Sequence, residues 1–293
     1  MKIKEMFEQK RTVFSMEIFP PKFDMPVESI YATLDGLKGL EPDYISVTYG
    51  AGGKSKDRTV EIARKIREEY GIESMAHLTC ISHSKEEVAK LITDLKNAGI
   101  ENVLALRGAN PEDTDFQFPT PLHYEHASQL VSELKRDGGF SIGAACYPEC
   151  HPDCVNLKTD IKNLKHKVDC GADFLVSQLF FDNEEFFEFM EKLEIAGIDI
   201  PVEAGIMPVL NKNQILRMCK LSGCKVPKKL QRMLDRFGDD PQSLREAGEA
   251  YATEQIIDLV TGGVRGIHLY SMNKPDVSKR IWDNIQSIRR FTK

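Results

Sequence analysis

Short runs of β-favouring residues recur along the chain, each followed by a stretch whose apolar positions return every three or four residues. Val13 to Ile18 opens the series, and Val27, Ile30, Leu34 and Leu37 then form one buried stripe on a first helix. Tyr44 to Tyr49 reads as a second strand, stopped by Gly50-Ala51-Gly52-Gly53 ahead of a helix containing Val60, Ala63 and Ile66. A strand near Ser74 to Leu78 leads to a helix with Val88, Leu91, Ile92 and Leu95, ending at Gly99. Asn102 to Leu106, Ser141 to Cys146, Phe174 to Leu179 and Pro201 to Ile206 continue the strands, each with its own apolar helical stripe behind it. Between Lys225 and Gly263 the rhythm pauses for extra helices, after which Gly266 to Tyr270 is an eighth strand and Ile281, Ile285 and Ile288 mark its closing helix. Eight strand–helix units predict an α/β fold, a (β/α)8 TIM barrel with extra helices before the eighth strand, as one domain over residues 1–293. A doubly wound dinucleotide fold has no direct support, because no Gly-x-Gly-x-x-Gly follows the first strand.

Composition narrows the function classes. With 41% hydrophobic and 29% charged residues the chain can bury a full core, and its apolar runs are strand-sized, so no membrane span is expected. The first ten residues, MKIKEMFEQK, are amphipathic and lack the apolar core of a signal peptide, which points to the cytoplasm. A formal charge of −6 argues against a nucleic-acid binder. Seven cysteines without a secretory signal are expected as thiols; Cys146, Cys150, His151 and Cys154 crowd one loop, but their spacing fits no zinc ribbon or finger, so no metal is expected.

In such a barrel the C-terminal strand ends converge on one face, where polar residues read as chemistry more readily than as packing. Glu17 stands there because Pro20-Pro21 stops the first strand; the competing reading is a surface acid before a turn. Thr48 and Tyr49, His77 and Thr79, Arg107 and Gly108, Tyr147, Glu149 and His151, Gln178, and finally His268, Tyr270 and Asn273 fall at the ends of other strands. On the helix after the fifth strand, Asp160, Asn163 and Lys167 share one face beside the apolar stripe. That face suits a ribose hydroxyl and a diphosphate, or is simply a solvated flank.

These residues are not scattered. Glu17-Ile18-Phe19-Pro20-Pro21, Ser46-Val47-Thr48-Tyr49-Gly50-Ala51, His77-Leu78-Thr79-Cys80, Ala105-Leu106-Arg107-Gly108 and Tyr147-Pro148-Glu149-Cys150-His151-Pro152 resemble, in order, motifs of the short bacterial methylenetetrahydrofolate reductases, a flavin-dependent family. The run Asp160 to Asp169, Gln178-Leu179-Phe180-Phe181-Asp182, Gly205 to Val209 and His268-Leu269-Tyr270-Ser271-Met272-Asn273 extend the resemblance to the last strand.

The resemblance implies a barrel that holds FAD, takes electrons from NADH or NADPH, and reduces 5,10-methylenetetrahydrofolate to 5-methyltetrahydrofolate in one-carbon metabolism. It implies that Thr48, Tyr49, Ala51, His77, Arg107, Gly108, Tyr147, His151, Asp160, Asn163, His166 and Lys167 bind the flavin, and that Gln178 and Lys274 contact the folate. Glu17 would be the acid that protonates N10 as the methylene bridge opens, with a pKa raised by desolvation once flavin and pterin close the mouth. A homo-oligomer, or a complex with a redox or folate-pathway partner subunit, is the expected assembly. Four positions depart from the family pattern: Ala109 replaces an Asp, Lys212 an aromatic, Lys274 an Arg, and His166 another basic residue. The first two keep open an alternative, a flavin-carrying subunit active only with a partner protein.

Overall fold

In the computed structural model, which describes residues 1–22, 24–49, 56–108 and 118–292, eight parallel strands close into a barrel in sequence order. They are β1 (Val13–Ile18), β2 (Tyr44–Val47), β3 (Glu73–Thr79), β4 (Asn102–Leu106), β5 (Ser141–Cys146), β6 (Phe174–Ser177), β7 (Val202–Ile206) and β8 (Gly266–Tyr270), and β8 returns to pair with β1. Helices α2 (Tyr31–Lys38), α3 (Lys56–Glu68), α4 (Lys85–Asn97), α5 (Ala127–Asp137), α6 (Leu157–Asp169), α7 (Asn183–Ile195) and α8 (Lys212–Ser222) follow the first seven strands. The pause before β8 holds α9 (Lys228–Phe237) and α10 (Pro241–Thr261).

Helices cover the outer face and side chains fill the interior, so β2, β6 and β7 are buried at every position rather than alternating. Leu34, Leu91, Leu134, Leu164 and Phe189 from the helical stripes join the layer between barrel and helices. Short polar residues start the helices: Ser84 Oγ accepts from the Glu87 N–H at α4, while Asn156, Asp182, Asn211 and Asp240 cap α6, α7, α8 and α10.

The bottom of the barrel is plugged by the amphipathic N-terminus, which forms α1 (Ile3–Gln9) and packs Ile3, Met6 and Phe7 among Met75, Leu104 and Phe174. Asn102, fully buried at the start of β4, fixes that plug. Its Oδ1 accepts the Ile3 N–H (2.7 Å), and its Nδ2 donates to the carbonyls of Met1 and Ser74 (3.2 Å each).

Four boundaries differ from the sequence reading. β2 stops at Val47 and β6 at Ser177, leaving Thr48, Tyr49, Gln178 and Leu179 in the loops above the barrel. The first helical stripe starts as a 3-10 turn, Val27–Ile30, before α2. The closing helix divides into α11 (Pro275–Asn284) and α12 (Gln286–Thr292), because Ile285 adopts φ −113°, ψ 12°, outside the helical range.

Candidate active site

Above the C-terminal strand ends lies a cleft of about 740 Å³, within the range of small-molecule sites. Glu17 is on its floor, held from both sides of the chain. The Glu17 carbonyl accepts from the Ser271 hydroxyl (2.5 Å) and N–H (3.1 Å), and Asn273 clamps Phe19 through both its carboxamide atoms. Asn273, expected at the rim, therefore ties the β1 loop to the β8 loop.

Glu17 Oε2 lies 3.3 Å from His268 Nε2 and 3.5 Å from His77 Nε2. His268 is fully buried and reaches down as well as up: Nδ1 is 2.7 Å from Ser15 Oγ and 3.5 Å from Glu203 Oε2. Ser15 Oγ donates to Glu203 Oε2 (2.9 Å), and so does the Tyr44 hydroxyl (2.7 Å). A hydroxyl that gives its proton to Glu203 accepts the one on Nδ1, which fixes that proton on His268. One continuous chain thus runs from the barrel interior to the cleft: Tyr44, Glu203, Ser15, His268, Glu17.

The two histidines beside Glu17 are driven in opposite directions. Burial pushes His77 down to about 4 against the pull of Glu17, so it is neutral. Burial also lowers His268, but its bonds to Glu17 and Glu203 outweigh that and carry it up to about 9. For Glu17, burial raises the pKa, yet the hydrogen bond from His268 and the charge on that ring prevail and hold it below the ordinary carboxylate value. In this open cleft the carboxyl is therefore depressed, not raised as expected for the closed site.

Glu203 was missed in the sequence. It is the second residue of Val202–Ile206 and fully buried, one layer below the strand ends. Its signal was a charge inside an otherwise apolar strand, opposite Gly266, where an added Cβ would collide with Glu203 Cγ.

The cleft brings together Glu17, Thr48, His77, Arg107, Gly108, Tyr147, His151, Lys167 and Gln178. Lys167 is turned inward from α6, with its ammonium on the Ala145 carbonyl (2.7 Å) and its pKa lowered by burial. Asp160 supports the β5 loop by accepting the His151 N–H (2.8 Å), while the His151 ring packs edge-on against Tyr147 (4.5 Å). Arg107 Nε donates to the Glu125 carbonyl (3.0 Å). Gly108 at φ 88° sits against Thr79, where a Cβ would come within 2.9 Å of Thr79 Cβ.

Other expected site residues lie elsewhere. The Tyr49 hydroxyl meets His83 Nε2 (3.0 Å) beside the outer core. Asn163 and His166 are exposed on α6, and Lys274 is exposed at the start of α11. Lys212 leans on Gly238 at the end of α9. Ala51 and Ala109 fall outside the described residues. In the cysteine loop, Cys150 and Cys154 point their thiols at backbone carbonyls, and no cluster of His, Cys, Asp and Glu among the described residues could hold a metal ion.

A closed (β/α)8 barrel with a carboxylate set between two histidines beneath a cleft at the C-terminal face has the architecture of a barrel enzyme. The chain belongs to the methylenetetrahydrofolate reductase family, whose model matches residues 2–286, and it is an oxidoreductase. It is 36% identical over 273 residues to 5,10-methylenetetrahydrofolate reductase of Pectobacterium carotovorum subsp. carotovorum, covering 93% of this chain and 90% of that one. Identity to the Escherichia coli (strain K12) enzyme is 35% over 267 residues, covering 91% and 88%. Methylenetetrahydrofolate reductase (NADH) 1 of Arabidopsis thaliana is 35% identical over 283 residues, 93% of this chain but 48% of the plant protein. Among solved structures, an uncharacterised Clostridium thermocellum protein that binds two copies of 5-methyl-5,6,7,8-tetrahydrofolic acid shares the fold, with TM-score 0.67, 15% identity and 99% coverage of both chains.

Proposed function

We propose that this barrel, acting as one unit, binds FAD, accepts electrons from NADH or NADPH, and reduces 5,10-methylenetetrahydrofolate to 5-methyltetrahydrofolate in the cytoplasm, with Glu17 as the acid. The observation that carries the reading is the placement of Glu17 on the cleft floor between His77 and His268. The names of the relatives support the substrate.

The residues present fit a flavin dinucleotide. Lys167 offers a buried ammonium that spends one of its three donors on Ala145, suiting an anionic diphosphate. His77 Nε2, 3.5 Å from Glu17 Oε2, is buried and makes no hydrogen bond. Bound there, FAD would supply the hydride. Lys167, His151 and Tyr147 would bind it, and Arg107 and Gly108 would line the same space. Gln178 would orient the pterin, because its Oε1 is fixed by the Leu179 N–H (2.9 Å) and its amide, beside the Tyr147 hydroxyl, lies in the cleft. The proton for N10 comes from Glu17. Every ligand that covers the mouth removes water, which adds to the burial that already pushes this carboxyl upward.

The test is to reconstitute the protein with FAD and follow flavin bleaching by NADH and NADPH and reoxidation by the folate separately, in wild type and Glu17→Gln. Reoxidation is expected to fall by about 10²–10⁴-fold in the variant, the usual contribution of a general acid, with bleaching preserved. Equal loss in both steps, or in neither, sinks the assignment. A protein that holds FAD yet bleaches only with a second protein present would be a partner-dependent flavin subunit.

A further inference from the structure

We propose that His268, held as a cation by Glu203 beneath it, stores the proton that Glu17 delivers, so that the acid is loaded from inside the barrel. This rests on the reductase reading for the reaction served, but on the geometry of the buried chain for the store itself. His268 Nε2 faces Glu17 at 3.3 Å while Nδ1 is held by Ser15 at 2.7 Å and Glu203 at 3.5 Å. The groups around the ring come from five strands: Glu17 and Ser15 on β1, Tyr44 and Ser46 on β2, His77 on β3, Glu203 on β7 and Tyr270 on β8. His77 is neutral and the two tyrosines are raised by burial, so the carboxylates decide the ring's charge. Glu203 is locked by the Ser15 and Tyr44 hydroxyls and meets His268 Nδ1 at 3.5 Å. Its other oxygen, Oε1, is buried without a partner, a cost that a purely structural acid has no reason to carry.

The step balances. When the cleft closes, the His268 Nε2–H bond breaks and the Glu17 O–H bond forms; the Glu17 O–H then breaks as N10–H forms. Glu17 is left as carboxylate and His268 as the neutral ring, which keeps its Nδ1 proton in the hydrogen bond to Ser15 Oγ. After product leaves, one proton from water restores the imidazolium, which matches the single proton consumed with each hydride supplied by the reduced flavin.

Glu203 is accordingly a positioning residue, and its removal should lower the pH at which the store empties. The experiment combines two measurements on wild type and Glu203→Gln. The first is the histidine NMR titration of the full-length apo protein, with the His268 signal assigned from its absence in His268→Gln. The second is the pH profile of folate-driven flavin reoxidation in the FAD-loaded protein. In Glu203→Gln both the His268 titration and the alkaline limb of the profile are expected to move down by at least about one pH unit, a tenfold rate loss on that limb. Should that variant not fold, Ser15→Ala, which removes the bridging hydroxyl without changing charge, should move both in the same direction by less. A His268 signal that does not move overturns the proposal. A signal that moves with an unmoved limb reduces Glu203 to a structural ion-pair partner and also overturns it. A wild type that never reoxidises with folate, with His268 titrating high, would instead sink the reductase reading and the relay with it, while leaving the ion pair intact.

Discussion

The opposite titration of two histidines around one carboxylate makes stability itself a readout of the site. His268 rises from 6.5 in the unfolded chain to about 9 when folded. A raised histidine stabilises fully below its unfolded value, and that contribution is lost as pH climbs through the folded value. From pH 6.5 upward the folded protein holds one more proton than the unfolded chain, so stability should fall by about 1.4 kcal/mol per pH unit, about 3 kcal/mol in all by pH 9. His77 behaves in reverse. Lowered to about 4, its contribution is present above 6.5 and lost as pH falls toward the folded value. Glu17, also lowered, adds to the acid side below its ordinary value of 4.5. The stability maximum should therefore lie near neutrality, with the alkaline limb owed to His268. The perturbation is His268→Gln, and the measurement is urea unfolding of the apo protein between about pH 6.5 and 8.5, where only slopes are compared. The apo form matters because bound flavin would add its own linkage. Other groups, such as the Met1 amino group raised by its acidic neighbours, contribute equally to both proteins and cancel. Wild type should be steeper than the variant by about 1 kcal/mol per pH unit. Identical slopes would show that His268 is not a buried cation, and the electrostatic account of the site would fail.

Three further outcomes test the frame around the site. Lys167→Met should lose FAD while its apo form is as stable as wild type or more so, because a buried ammonium is replaced by an apolar chain; flavin content and apo melting temperature check it. Gly266→Ala places a Cβ against Glu203 and should cost about 1–3 kcal/mol in denaturant unfolding while lowering the His268 titration, since Glu203 must move. Asn102→Ala strands the Ile3 N–H at the barrel floor, and a loss of about 1–3 kcal/mol is expected by urea unfolding, with faster hydrogen exchange confined to α1.

How far the sequence reaches depends on which period carries the information. The eight strands were legible because a barrel strand buried on both faces is a short apolar run between helical stripes, and such runs survive errors of one or two residues at their ends. The ends themselves were not legible where polar residues continue a β-favouring run. Thr48 and Tyr49 after Val47, and Gln178 after Ser177, read as strand but belong to the loops that form the cleft. On α6 the heptad-like spacing put Asp160, Asn163 and Lys167 on one face, yet only a position reached by folding decides which of them turns inward. Lys167 does, against Ala145, while Asn163 stays in water.

The deeper omission concerns the interior of the barrel. Reasoning from strand ends treats the last inward residue as the chemistry and everything beneath it as packing, which holds for Met75, Leu104 and Phe174. It fails for Glu203, because a carboxylate at a core position has to be paired or to shift its pKa, and neither is visible until Ser15, Tyr44 and His268 are brought to it from three other strands. Ser15, Tyr44 and Gly266 each look unremarkable alone: a small polar residue, an aromatic and a glycine at the start of a strand. Together they are the space, the donors and the clearance that one buried acid requires. That requirement couples Glu17 to a layer of the barrel that a substrate cannot touch, which is why the electrostatics of the acid cannot be read from the residues that line the cleft.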